Sequence, residues 1–155
     1  MIKLTLSPKP TKLTPKLEKE LTAKYKKDGK IVWKRKFLVE AVAAISNNKC
    51  VYSECKLGEE SKYMEVEHFH PKSLYEDEVV KWGNLLPSCK KCNGVKDNLD
   101  TKKFPIINPL EDDPKEHIYL KRSFRLYPKT EMGKRTIQHT ALNDRKHFVN
   151  KRFKI

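Results

Sequence analysis

Four cysteines fall in two pairs, Cys50/Cys55 and Cys89/Cys92, and between the pairs lies the run Glu67-His68-Phe69-His70-Pro71. Each pair is spaced to form a knuckle whose two sulfurs converge on one ion. Cys-x4-Cys with Cys-x2-Cys thus supplies the four thiolates of a tetrahedral zinc site. Four thiolates leave no coordination position open, so the zinc is expected to be structural and any chemistry has to come from other groups. Two disulfides are the alternative. A lysine-rich chain with no apolar signal segment at its start argues instead for a reducing compartment, where thiols bind metal.

The elements that must position these residues follow from composition and periodicity. The chain has 155 residues, and 34 Lys+Arg against 20 Asp+Glu give a net charge of +14. That excess points to a polyanionic partner, with nucleic acid foremost. No apolar run approaches the roughly 18 residues a membrane span needs, so a soluble, cytoplasmic bacterial protein is expected. Prolines 8, 10 and 15 among lysines and threonines make residues 1–15 a basic extended arm rather than packed structure. Leu17, Leu21 and Tyr25 form one stripe of a helix over 16–27 that Asp28-Gly29 ends, and a more apolar helix is predicted from Trp33 to Ile45. Met64 to Glu67 alternates and leads into His68 as a short strand, and Asn84 to Ser88 forms a second. A short helix from Cys92 to Leu99 completes a ββα unit. Further on, Ile118 to Leu120 and Phe124 to Tyr127 read as a hairpin, and Glu131 to Phe153 as one or two helices. The fold class is α+β, with a helical part at 16–48, a metal-centred core at 49–100 and a hairpin and helical extension at 101–155, all in one domain.

Within that core, Glu67-His68-x-x-Pro71, Trp82-x-Asn84-Leu85 and Cys89-x-x-Cys92-Asn93-x-x-Lys96 resemble the motif of the HNH nucleases, whose active site is a ββα-metal fold. The resemblance covers about residues 50 to 98. It implies metal-dependent hydrolysis of phosphodiester bonds, in which a base deprotonates water and a cation neutralises the charge building on phosphorus. It assigns His68 the role of general base, which suits a side chain that titrates near neutrality. It makes Glu67 a metal ligand. Because neighbours on a strand point to opposite faces, placing Glu67 and His68 at one site implies a distorted strand end. Asn93 stands where the motif ends in histidine or asparagine, and its amide oxygen with Glu67 suits Mg²⁺ or Mn²⁺ rather than a second zinc. Asn84 is the residue that braces the loop. Asp97, one helical turn beyond Asn93, is a further candidate ligand, and Lys96, Lys90 and Lys91 are candidate phosphate contacts.

A narrower resemblance rests on Val66-Glu67-His68-Phe69-x-Pro71, on Leu85-Leu86-x-x-Cys89 and on the downstream Ile107-Asn108-Pro109. These look like the small HNH subunits of Septu anti-phage systems and of relatives encoded beside retrons. That likeness implies a PtuA-like ABC-type ATPase that gates the nuclease and, in the retron-associated branch, a reverse transcriptase with its RNA–DNA. DNA is the implied substrate.

Plainer readings apply to the rest. His70 is expected to be a solvent-facing turn residue, and His117, His139 and His147 lack spacing partners. Trp33 and Trp82 could stack on bases, although for Trp82 a core plug beneath the loop is simpler. Two other functions are weighed against a gated nuclease. One is a non-catalytic zinc-stapled module that binds nucleic acid or adapts partners, with His68 merely packing beside the knuckle; the other is a standalone restriction-type enzyme.

Overall fold

Leu85 and Leu86 are adjacent, and on a strand adjacent side chains leave opposite faces. In the computed structural model, which describes residues 1–58 and 63–153, the two leucines are fully buried in two different apolar clusters. They belong to a two-stranded antiparallel sheet of β1 (Met64–His68) and β2 (Leu85–Cys89), whose register runs from Met64 opposite Cys89 to His68 opposite Leu85. Both faces are covered, so the hairpin is the middle layer of the structure.

One face is covered by α1 (Pro15–Asp28) and α2 (Lys36–Ala44). The Thr14 hydroxyl caps α1 by accepting the Leu17 N–H, and Pro15 sits in its first turn. Gly29 ends the helix with φ 65°, a left-handed conformation that glycine adopts without steric cost. Leu21, Leu38 and Val42 meet Trp33, Val80, Trp82 and Leu85 beneath these helices. The second helix is shorter than its apolar pattern predicts. Arg35 is extended (φ −86°, ψ 134°), and Trp33 lies in the connection before the helix, where its ring packs on Tyr25 and His68.

The N-terminal arm lacks regular structure, as its prolines require, but it is packed and not free. Leu13 is buried, the Leu4 N–H donates to the Pro109 carbonyl at 2.7 Å, and Ser7 O accepts from the indole of Trp82 at 2.8 Å. Its apolar residues outweigh its lysines in deciding where it goes.

The opposite face meets α3 (Lys90–Lys96), which follows β2 directly. This helix begins two residues before the expected start and stops at Lys96, because Asp97 takes φ 44° and ψ −128° and leaves the helical path. Around it pack Tyr52, Phe69, Ile106, Ile107, Leu142 and Phe148. Beyond lie α4 (Pro114–His117), the hairpin of β3 (Ile118–Leu120) and β4 (Leu126–Pro128), α5 (Glu131–His139), a wide π turn at Arg145–Val149 and α6 (Asn150–Phe153). Gly133 lets α5 press onto the end of α4, since a Cβ there would lie 2.0 Å from the His117 carbonyl oxygen. Among the described residues no helix is long and apolar enough to cross a membrane.

Candidate active site and metal centre

The cysteines converge. A tight turn at 50–55, closed by the Cys50 N–H on the Cys55 carbonyl, faces the junction of β2 and α3 that carries Cys89 and Cys92. The sulfurs of Cys50, Cys55 and Cys89 lie within 4.8 Å of one another. Cys92 is buried against Cys50 and Cys89, and all four thiols are free of disulfides. Ser53 donates to the Cys55 sulfur at 3.1 Å, which favours a thiolate there. Contacts with the sulfurs of Cys50 and Cys89 hold the thiols of Cys55 and Cys92 well above the ordinary value. Three converging sulfurs with a fourth beside them are a donor set suited to a structural metal.

At the end of β1 the two residues that the sequence joins in one site part company. The strand keeps its regular register through His68, so the expected distortion is absent and Glu67 and His68 occupy opposite faces. Glu67 is 1% exposed on the α3 side. The Lys96 ammonium lies 2.6 Å from its Oε1 and also donates to the His68 carbonyl at 3.0 Å. The approach to Glu67 is an ion pair by distance without the alignment of a hydrogen bond. Both Glu67 oxygens and the Tyr52 hydroxyl beside them accordingly have no aligned partner among the described residues. Burial raises the Glu67 pKa, and the Lys96 charge works against that rise. Burial, then the Glu67 charge, lifts Tyr52 well above an ordinary phenol.

His68 turns the other way, into the layer of α1 and α2, and is 6% exposed. Its Nε2 lies 2.8 Å from the Val79 carbonyl, an atom that only accepts, so Nε2 carries the proton and Nδ1 holds the lone pair. The Trp33 ring meets it edge-on, and burial lowers its pKa to about 4.

Asn84 sits beneath the 70–84 loop and ties both its ends. It accepts the His70 N–H at 2.7 Å and donates to the carbonyls of His70 and Glu78 at 3.0 and 3.1 Å. His70 is half-buried rather than solvent-facing. Thr101 spends its one hydroxyl proton on the Phe69 carbonyl, so it accepts from His70 Nδ1 at 2.7 Å, which leaves the lone pair on Nε2.

Asn93, half-buried on α3, donates its amide to Glu65 Oε2 at 2.6 Å, and its Oδ1 has no hydrogen-bond partner among the described residues. Asn93 therefore pairs with Glu65, two residues before the Glu67 expected from the sequence. Asp97 is exposed and lies beyond the helix, so the turn spacing that put it on one face with Asn93 does not hold. Lys96, at 2% exposure, is inside the protein and not at a phosphate surface, because the buried Glu67 charge needs a partner. Lys91 pairs with Asp144 at 3.1 Å, and Lys90 is exposed. As arranged, Glu67 does not fit a divalent ion, because an ammonium already neutralises it inside the fold. The groups missed at the sequence level are Glu65, Tyr52 and Thr101, of which only Glu65, in period-two alternation with Glu67, left a signal there, while Trp33, read as a candidate for stacking on bases, packs on His68 instead.

Two short antiparallel strands and flanking helices grouped around cysteines that could hold a metal ion make this a mixed helix-and-sheet, α+β protein. No family model matches the chain. It is similar to the Septu protein PtuB of Bacillus thuringiensis, 47% identical over all 155 residues and covering 60% of that protein. It also resembles the Septu protein PtuB of Bacillus mycoides strain KBAB4, 29% identical over 141 residues, 70% of this chain and 47% of that one. The chain thus spans roughly half to three fifths of the length of the curated relatives it matches.

Proposed function

We propose that the chain is the HNH-type nuclease subunit of an anti-phage defence complex, hydrolysing phosphodiester bonds of DNA under the control of an ABC-type ATPase. The observation that carries this reading is the direct bonding of all three motif segments within one ββα unit. Lys96 reaches the His68 carbonyl, Asn93 reaches Glu65, and Asn84 holds His70. A passive zinc knuckle needs none of these. Similarity to two Septu PtuB proteins supports the defence setting.

In this reading zinc at Cys50, Cys55, Cys89 and Cys92 is structural and keeps the start of α3 in register with β1. His68 is the base that takes a proton from water, Asn84 fixes the loop, and Lys90 and Lys91 add positive charge beside the helix. The motif offers Glu67, Asn93 and Asp97 to Mg²⁺ or Mn²⁺, which would supply charge neutralisation, but with Glu67 on Lys96, Asn93 on Glu65 and Asp97 off the helix the present arrangement does not hold them as one site. Freeing Glu67 for that purpose requires Lys96 to let go of it. The partner is a PtuA-like ATPase, with a retron reverse transcriptase and its RNA–DNA in the retron-associated case.

One observation favours a second reading. His68 and Glu67 are both buried, as expected of a non-catalytic zinc-stabilised module in which they simply pack. The two readings separate on plasmid DNA with Mg²⁺ or Mn²⁺, assayed for the free chain and for its complex with the ATPase. A nuclease cuts in at least the complex, whereas a packing module binds DNA and leaves it intact in both.

A further inference from the structure

We propose that the cleft between the first knuckle and the C-terminal hairpin is the docking site for an acidic, amphipathic segment of a partner protein. The cleft has a volume of about 1230 Å³, and its described lining residues all fall outside 57–113, apart from the His68 loop and from α3. An occupant leaves the candidate active site uncovered, and the inference stands whether or not the chain cuts DNA.

Its floor is apolar. Ile118, Leu126 and Phe148 form the base, while Leu120 on the wall is 53% exposed and Tyr119 41% exposed. Its rim is cationic, with Lys49, Lys115, Lys129 and Arg152 around it. The first three make no ion pair among the described residues. Lys129 donates to the Lys115 carbonyl, and Arg152 to the Phe124 carbonyl. Among the described residues the one carboxylate lining the cleft, Glu54, lies 2.6 Å from the Met1 ammonium.

This combination selects among occupants. A phosphate backbone satisfies the rim but brings nothing apolar for the floor, and bases need exposed aromatic faces to stack on. The floor is largely aliphatic, its Phe148 is buried, and the exposed ring of Tyr119 on the wall is already packed on Tyr127, with 6.0 Å between centroids. A small ligand typically fills about 300–1,000 Å³ and has no use for so wide a ring of cations. A helix about 10 Å across and two to three turns long displaces on the order of 1,000 Å³, lays leucine or phenylalanine on the floor and turns aspartate and glutamate to the rim. Rim charges of this kind steer the approach of the segment, and the floor holds it.

The test uses the full chain loaded with zinc and a fluorescent helical peptide of about 16 residues, with glutamates on one face and leucine or phenylalanine at i, i+4 and i+7. Controls are a peptide of identical composition without the apolar stripe and a labelled single-stranded DNA of about 20 nucleotides. The striped peptide is expected to bind at least about tenfold more tightly than its scrambled control. Leu120→Glu, and Lys115→Glu with Lys129→Glu, should each weaken it by about tenfold or more while DNA binding and the circular dichroism spectrum stay unchanged. Equal binding of the two peptides overturns the proposal. So does loss of DNA binding in the rim variants with peptide binding intact, which makes the cleft a nucleic-acid surface.

Discussion

The indole of Trp33 stands edge-on to the imidazole of His68, with 4.7 Å between ring centroids and 83° between planes. The Lys72 ammonium lies 5.0 Å from the same indole, so the connection between α1 and α2 is pinned across the end of β1. A histidine base must present a lone pair to water. In this arrangement His68 is 6% exposed with Trp33 packed against its ring, so water reaches it as a base only when the contacts that bury it loosen. A gated enzyme has a use for such a contact, and a packing module keeps it permanently.

Trp33→Leu keeps an apolar side chain under α1 but removes most of the shield. The His68 pKa should rise from about 4 toward 6.5 as the desolvation that lowers it is relieved. A proton NMR titration of the ring signals measures this. A value unmoved from about 4 would mean that other neighbours bury the ring.

Stability should carry the same signature. Because folding lowers the His68 pKa from 6.5 to about 4, the unfolded chain binds more protons between those values, and stability falls as pH drops through that window. Below about 4 the loss levels off, at a total on the order of 3 kcal/mol. Urea melts across pH 4 to 7 should show this slope in the wild type and a shallower one in His68→Phe. Equal slopes would assign the acid sensitivity to other groups.

Removing one partner of the buried Glu67 and Lys96 pair leaves the other charge without compensation. Lys96→Met should therefore cost about 3–5 kcal/mol in chemical denaturation. Adding Glu67→Gln should return a large part of that loss, since the double variant buries no charge. Additive losses would show that the two side chains do not act as a pair.

The metal prediction concerns folding before activity. Elemental analysis should find one zinc per chain, and Cys92→Ser or prolonged chelation should strip it and abolish the cooperative thermal transition. A chelated chain that melts as before would reduce the four cysteines to packing groups.

Much of this arrangement was legible from local signals. The cysteine spacing, the alternation leading into His68 and the Thr14, Pro15 and Gly29 signals around α1 each rest on chemistry confined to a few residues. The loop-bracing place of Asn84 came with the resemblance to the HNH motif, and its amide, both donor and acceptor, is bonded to His70 and to the Glu78 carbonyl. The burial of His68 and Lys96 was not legible. It depends on Trp33 arriving from another layer and on Tyr52 and Glu67 closing a pocket, contacts between residues up to 35 positions apart that leave no period in the sequence. The packed arm was misjudged for the same reason, since its anchors, Pro109 and Trp82, lie far along the chain.

The central claim is that His68 is a catalytic base and not a core residue. The most direct measurement is cleavage of plasmid DNA by the zinc-loaded chain with its ATPase and Mg²⁺ or Mn²⁺, comparing wild type with His68→Ala and His68→Gln. The account predicts a loss of about 10²–10⁴-fold in both variants, with zinc content and circular dichroism unchanged. Cleavage at the wild-type rate by folded His68→Ala would contradict it.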